Sequence, residues 1–471
     1  MKQTLENIFY SCASQLLSLL VPLLTAPYIS RILGSQNLGI FSYVESVSQI
    51  VIVVGLIGLG NYSIREIAYV KDDKKLRSTI FFELVLLRIL LVVITSLTFI
   101  FLLKGTEFEY YAYYQLIFIM GSFLDITWFF SGIEDFKTVV LSKIVVKTAS
   151  IVAIFWFIKS ADDLTLYFII MGISQLTAVI VCYPRIRKFL SFPDIKSLNI
   201  VRHIMPTLSV ALPQIVILIY YQMDKVMLQY FTRDNAVIAL YDQADKIVKV
   251  PVTIITAISA VMFPKTSSFF NNKEFEKMEE NILLTIKYGI MLIIPMTLGL
   301  ASIAQGFISW FLGTGFEEVG TIIMALSPVI IARGLSTISS NQYLVSTKNT
   351  KVLTMSSVVS AILSVILNVL LIPLLGVYGA VIGTVIAEFS VAFIQYRFMS
   401  RDIKYNGLIL LAIKYTIFSS LSIFVSKIFG RAFSNSITGT LIEICITVIV
   451  YLFLLLISKD DLLNPSFIKK I

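Results

Sequence analysis

The chain has 471 residues, 57% of them apolar and only 14% charged, with a mean hydropathy of +0.87. A soluble domain carries roughly 25% charged residues because its surface faces water, so this composition excludes a soluble enzyme and predicts an all-α integral membrane protein. The formal net charge of +9 does not point to nucleic acid, because the basic residues gather in alternate connections between apolar runs.

Those runs are about 20 residues long, the length a helix needs to cross ~30 Å of hydrocarbon. A closed barrel, the other fold that satisfies its backbone in lipid, would show ~10-residue segments of alternating polarity, and the chain has none. The length criterion predicts about 14 transmembrane helices. The first, 8–31, follows a start with one lysine and no small-residue cleavage site, and it is too long for a signal-peptide core. The second, 39–62, carries Glu45. The third, 79–103, carries Arg88 about ten residues in, or ~15 Å along at 1.5 Å per residue.

The fourth, 111–132, opens on Tyr110, Tyr111, Tyr113 and Tyr114, read as an interfacial aromatic belt, and holds Asp125. Spans 141–158 and 164–182 follow; Lys143 and Lys147 can snorkel outward. The seventh, 204–230, holds Asp224 and Lys225, which point about 100° apart on a helix and so each need a partner. Asp245 precedes the eighth, 246–263; Lys287 lies in the ninth, 281–304, and Arg333 in the tenth, 319–342. Glu388 lies in the twelfth, 377–397, after 354–374; the spans 408–429 and 437–458 complete the set.

Little in this pattern suggests chemistry. Cys12, Cys182 and Cys445 lie in apolar runs without metal-like spacing and read as buried thiols. The single histidine, His203, falls at the end of a span, where a solvated or capping role is expected. Asp72-Asp73 and Asp162-Asp163 lie in short connections with no second ligand cluster nearby. A membrane glycan polymerase or transferase needs a positioned acid, base or metal, and no connection exceeds about 20 residues, too short for a soluble domain. No enzyme activity, metal or cofactor is expected.

Charge sets the orientation. Arg65, Lys71, Lys74, Lys75 and Arg77, then Arg185, Arg187, Lys188, Lys196 and Arg202, share one side with Lys265, Lys273, Lys277, Lys348, Lys351, Arg401, Lys404 and the tail lysines. The other side holds few, a ratio of about four to one, and positive loops stay in the cytoplasm. Both termini are therefore predicted inside.

The chain also repeats at an offset of 200. Leu38–Glu45 falls on Ile238–Asp245, Phe41 meets Tyr241, Glu45 meets Asp245, Arg65 meets Lys265, and Lys287 lies one position from the partner of Arg88. Two parallel six-helix lobes related by an axis along the membrane normal, a known plan for alternating-access transporters, would span 1–200 and 201–400. Residues 401–471 would add two further helices and a cytoplasmic tail.

Several stretches resemble a known family. Arg31-Ile32-Leu33-Gly34-Ser35-Gln36-Asn37-Leu38-Gly39-Ile40-Phe41-Ser42 and Asn61-Tyr62-Ser63-Ile64-Arg65-Glu66-Ile67-Ala68 are similar to the first outer turn and the second helix end of bacterial polysaccharide-repeat-unit flippases of the Wzx type. Tyr220-Tyr221-Gln222-Met223-Asp224-Lys225-Val226 resembles their aromatic–Asp–Lys pattern, and Leu367–Pro373 with Gly376–Ala380 resembles their eleventh-to-twelfth helix turn. The resemblance implies two lobes around a central cavity, in the superfamily shared with multidrug antiporters and lipid II flippases. It implies a substrate of undecaprenyl-pyrophosphate-linked oligosaccharide, carried to the outer leaflet of the bacterial cell membrane for capsule, O-antigen or exopolysaccharide biosynthesis, beside other polysaccharide assembly proteins.

A pyrophosphate needs fixed cations at membrane depth, where a charge costs at least about 2.5–3.5 kcal/mol and so needs a reason. Arg88, Lys287 and Arg333 are the candidate ligands. Asp125, Asp224, Asp245, Glu45 and Glu388 are the acidic set, able to hold a coupling ion or to balance the arginines. Several basic residues at this depth argue against a cation-exporting drug antiporter.

Overall fold

The computed structural model describes residues 2–56, 58–194, 196, 198–405, 407–430, 436–460 and 462. Every regular element among them is helical, and eleven helices are long and apolar enough to cross a membrane, or twelve if one bent pair is a single span. The protein is a multi-pass membrane protein. The expected count of 14 is not confirmed among the described residues. The predicted span 8–31 and most of 39–62 fall on two helices that meet at a kink at Gly34, φ 74° and ψ 173°, within α1 (Lys2–Leu56). That backbone lies in the left-handed region open to glycine. The turn between the two helices is thus one residue wide.

The rest follow as α2 (Leu59–Tyr69), α3 (Lys74–Leu103), α4 (Glu109–Leu124), α5 (Thr127–Gly132), α6 (Phe136–Phe157), α7 (Leu164–Ile186) and α8 (Ile204–Thr232). Then come α9 (Asn235–Asn271), α10 (Phe275–Phe311), α11 (Glu317–Leu326), α12 (Pro328–Ile338), α13 (Thr350–Leu375), α14 (Val377–Met399), α15 (Leu408–Gly430) and α16 (Ile437–Ile457). A π-helical stretch, Ser339–Val345, extends α12. The chain forms two compact units: Met1–Gln229 with Asp234–Ala239, and Tyr230–Arg233 with Leu240–Ile471. This division falls beyond the boundary at 200 that the repeat suggested, and α15 and α16 belong to the second unit.

Within each unit the same order recurs. A long helix (α3, α10) precedes a broken span (α4/α5, α11/α12) and two further spans (α6 and α7, α13 and α14). The second break bends by 45° at Ser327-Pro328, because proline at position 328 has no N–H to continue α11. The first is made by Asp125, whose carboxylate accepts from Thr127 N at 2.9 Å and Thr127 Oγ1 at 2.8 Å. That local turn competes with the helix for the same donors.

Packing is inverted with respect to a soluble protein. On α13, Ser356, Ser360, Ser364 and Asn368 recur every four residues and are buried, while Ile362, Ile366, Val369 and Leu370 face outward. Ser360 Oγ donates to the Ala387 carbonyl at 2.7 Å and Gln395 Nε2 to Ser356 Oγ at 3.1 Å, tying α13 to α14. Lipid offers no hydrophobic drive between helices, so small residues and hydrogen bonds hold them. Cys182 is buried as expected, but Cys445 lies exposed on α16; the side chain of Cys12 lies outside the described residues.

The α4–α7 crossing uses reciprocal glycines. A Cβ on Gly121 would come within 2.9 Å of Leu176 N, and one on Gly172 within 2.8 Å of Ile117 Cβ. Gly172→Leu is therefore expected to lower the yield of folded protein severalfold on size-exclusion chromatography. Gly60→Ala, with nothing within 4 Å of the added carbon, serves as the neutral comparison. Equal yields would show that the crossing tolerates separation.

Candidate functional site

The second unit holds a charged network across α9, α12 and α14. Glu388 lies midway along α14, eleven residues from each end, so it is near the bilayer centre. Arg333, itself buried, donates from Nε to Glu388 Oε1 at 2.7 Å and from Nη1 to Asp245 Oδ1 at 3.2 Å. Asp245 also receives the Lys249 ammonium, and Asp242 receives that of Lys246 at 2.6 Å. Three acids thus meet three bases, which removes most of the cost of charge in hydrocarbon.

The network is two-faced. Asp242, Glu388 and Arg333 are buried, whereas the Lys246 and Lys249 side chains remain 38% and 37% exposed. The pattern Asp242-x3-Lys246 and Asp245-x3-Lys249 puts each acid one turn before its base, the favourable order on a helix. Neither lysine was singled out from the sequence, although this doubled i,i+4 pattern was there to be read. Tyr241, aligned with Phe41 in the repeat, is buried and shares a hydrogen bond with Thr384 at 2.7 Å.

Arg88, in the first unit, has a different setting. It is buried; Nη1 donates to the Asp125 backbone carbonyl at 3.3 Å, and the guanidinium lies over the Trp128 ring, 5.2 Å from its centroid. Arg88 thus meets a carbonyl at the α4/α5 break, while the Asp125 carboxylate is turned to Thr127. The surroundings are aromatic and aliphatic: Phe81, Leu84, Trp128 and Phe129 belong to one buried cluster of the unit.

The remaining candidates are scattered. Lys287 on α10 is half-buried and has no ion pair among the described residues. Glu45 is half-buried and interacts electrostatically with Lys147 of α6. Asp224 and Lys225 are both buried in α8. The structure therefore brings Arg333, Asp245 and Glu388 together and leaves Arg88 and Asp125 as a separate pair in the first unit.

One cluster went unseen in the sequence. His203 is buried, contrary to the solvated or capping role expected of it, with Nε2 2.8 Å from Glu83 Oε2 and Nδ1 2.8 Å from Tyr62 Oη. Glu83 also accepts from Asn199 N at 2.7 Å and from Arg202 Nε at 3.0 Å. Glu83 had given no signal because its partners lie about 120 residues away. Glu83→Gln would leave several donors without a charged acceptor in a buried site, a loss of about 3 kcal/mol. An unchanged thermal unfolding midpoint in detergent would disprove that role.

The paired aspartates are caps. Asp73 accepts from Lys75 N and Leu76 N at the start of α3, and Asp163 closes a capping box with Ser160. Among the described residues no three potential ligands group around a metal position.

This architecture, long helices, broken spans and balanced charges near mid-membrane, is that of a multi-pass membrane protein. It is similar to the solved structure described as "Lipid II flippase MurJ, inward closed conformation", with a TM-score of 0.71 at 18% identity over 97% of this chain and 100% of that one. It is also similar to the inward-facing conformation of a multidrug resistance MATE family transporter of the MOP superfamily, with a TM-score of 0.66 at 16% identity over 84% of this chain and 94% of that one. The fold is the one that these two solved structures share.

The family model described as "Polysaccharide biosynthesis protein" matches residues 4–270, more than half the chain, and the chain belongs to that family. Two relatives carry the name "Putative O-antigen transporter". The one from Escherichia coli (strain K12) is 30% identical over 183 residues, 37% of this chain and 43% of that protein, so the match spans less than half of that relative. The one from Shigella dysenteriae is 22% identical over 377 residues, 78% of this chain and 93% of that protein.

Proposed function

We propose that this protein is a flippase that carries undecaprenyl-pyrophosphate-linked oligosaccharide repeat units from the cytoplasmic to the outer leaflet of a bacterial cell membrane by alternating access, with both termini inside. The observation that supports this reading most is the Lys246–Lys249 face of α9, two half-exposed ammoniums each held one turn from an acid, Asp242 and Asp245, the second of which is bonded to Arg333 and through it to Glu388 near the bilayer centre. Family membership supports the class of substrate.

In this reading the cations divide by task. Arg333 is engaged by Asp245 and Glu388 and holds α9, α12 and α14 together; Arg88 holds the α4/α5 break. Lys246, Lys249 and Lys287 take the pyrophosphate oxygens. Lysine suits a moving substrate because its ammonium is a compact charge on a flexible stem. Asp242 and Asp245 keep both α9 lysines in place between loads. Glu45, facing Lys147, and the buried Asp224 balance charge on their own helices.

The test is to delete the gene and identify the lipid-linked glycan that accumulates on the cytoplasmic side. A lipid-linked oligosaccharide repeat unit supports the reading. Accumulation of lipid II would assign the cell-wall precursor as substrate, and drug sensitivity with no trapped glycan would assign an antiporter.

A further inference from the structure

Between α7 and α8 the chain stays against the first unit. Arg77 Nη2 donates to the Phe189 carbonyl at 2.7 Å, and Ser191 N donates to Ser78 Oγ at 2.9 Å. Glu83 then receives Asn199 N and the side chains of Arg202 and His203. These anchors on α3, residues 77, 78 and 83, lie between about 5 and about 14 Å past its first residue at 1.5 Å per residue. The connection therefore runs along the end of a membrane-spanning helix, at the depth where headgroups meet acyl chains.

Its side chains sort to match. His203 turns inward, while Phe192 is 95% exposed, Val201 72% and Met205 76%. Arg187, Lys188 and Lys196 are exposed too, with no ion pair among the described residues. The one acidic residue between 185 and 205 is Asp194, and its Oδ1 accepts from Lys196 N at 3.1 Å. Large apolar side chains on a soluble surface are costly, and unpaired cations are costly in hydrocarbon. The boundary of a membrane with anionic headgroups suits both, because apolar groups enter the acyl region while lysine and arginine meet phosphate.

We propose that the described residues between Arg187 and Met205 form an interfacial anchor that binds anionic phospholipid, with Phe192, Val201 and Met205 in the acyl boundary and Arg187, Lys188 and Lys196 on the headgroups. Glu83 is the buckle that fixes the anchor to α3. The anchor is independent of what the protein transports.

Hydrogen exchange on the unaltered protein, reconstituted in vesicles of phosphatidylglycerol and separately of phosphatidylcholine, tests this. Amides of 187–205 are expected to exchange about tenfold or more slowly in phosphatidylglycerol, given the attraction of each basic residue to an anionic surface. Those of the connection at 104–108 should not differ. In the variant Arg187→Glu, Lys188→Glu, Lys196→Glu, which alters only exposed side chains, the difference should vanish. Equal exchange of 187–205 in the two lipids would overturn the proposal, as would a difference that persists in the charge-reversed variant; a protein-docking surface would give the first of these results.

Discussion

Arg333→Ala is expected to cost about 3–5 kcal/mol of stability, the typical loss when one partner of a buried ion pair is removed. Its guanidinium is bonded to both Asp245 and Glu388, and Glu388 lies at the middle of α14. Alanine would leave Glu388 without its counter-charge where no water can replace it. The thermal unfolding midpoint of purified protein in detergent should fall sharply, and less protein should reach the membrane. The double variant Arg333→Met, Glu388→Leu removes the pair together. Asp245 then keeps Lys249, so stability should return to near the parent value.

The same pair of variants separates structure from transport. If the double variant is stable and exports glycan, Arg333 serves packing, as the geometry favours. If it is stable and inactive, Arg333 contacts substrate, and the division of tasks proposed above is wrong. A single Arg333→Ala as stable as the parent would show that the network contributes little.

The second large effect is expected on α9. Replacing Asp242, Asp245, Lys246 and Lys249 by Asn, Asn, Gln and Gln removes two charges of each sign and keeps every side chain close to its original size. Arg333 and Glu388 still pair, so the unfolding midpoint should move by only a few degrees. Export should fall by tenfold or more, because a hydrogen bond to a charged group contributes about 1.5–3 kcal/mol and two ammoniums are lost. Undiminished export in a correctly inserted variant would remove Lys246 and Lys249 from the substrate path. A strong loss of stability would instead make the α9 ladder a packing device like Arg333.

The amino-acid sequence determined, by itself, that the chain is helical and crosses the membrane many times. Composition and run length depend only on solvent, and hydrocarbon leaves a backbone few ways to satisfy itself. Most predicted spans match single helices within a few residues, as 377–397 does Val377–Met399. The spans 39–62, 111–132 and 319–342 are each divided between two helices, and the sequence marked the last break with Pro328. Gly34 was legible as part of a turn, yet the tightness of that turn was not, because one residue with positive φ redirects a helix without any polar loop.

The intramembrane charges were legible one by one, since each is rare and costly in lipid. Their partners were not. Arg333 and Glu388 are 55 residues apart, and Glu83 and His203 are 120 apart. Only the packing of α12 on α14, and of the α7–α8 connection on α3, decides which charges meet. Tertiary structure also decided that Lys246 and Lys249 keep an open side while the acids beneath them close, because burial is a property of neighbouring helices and no helix carries it alone.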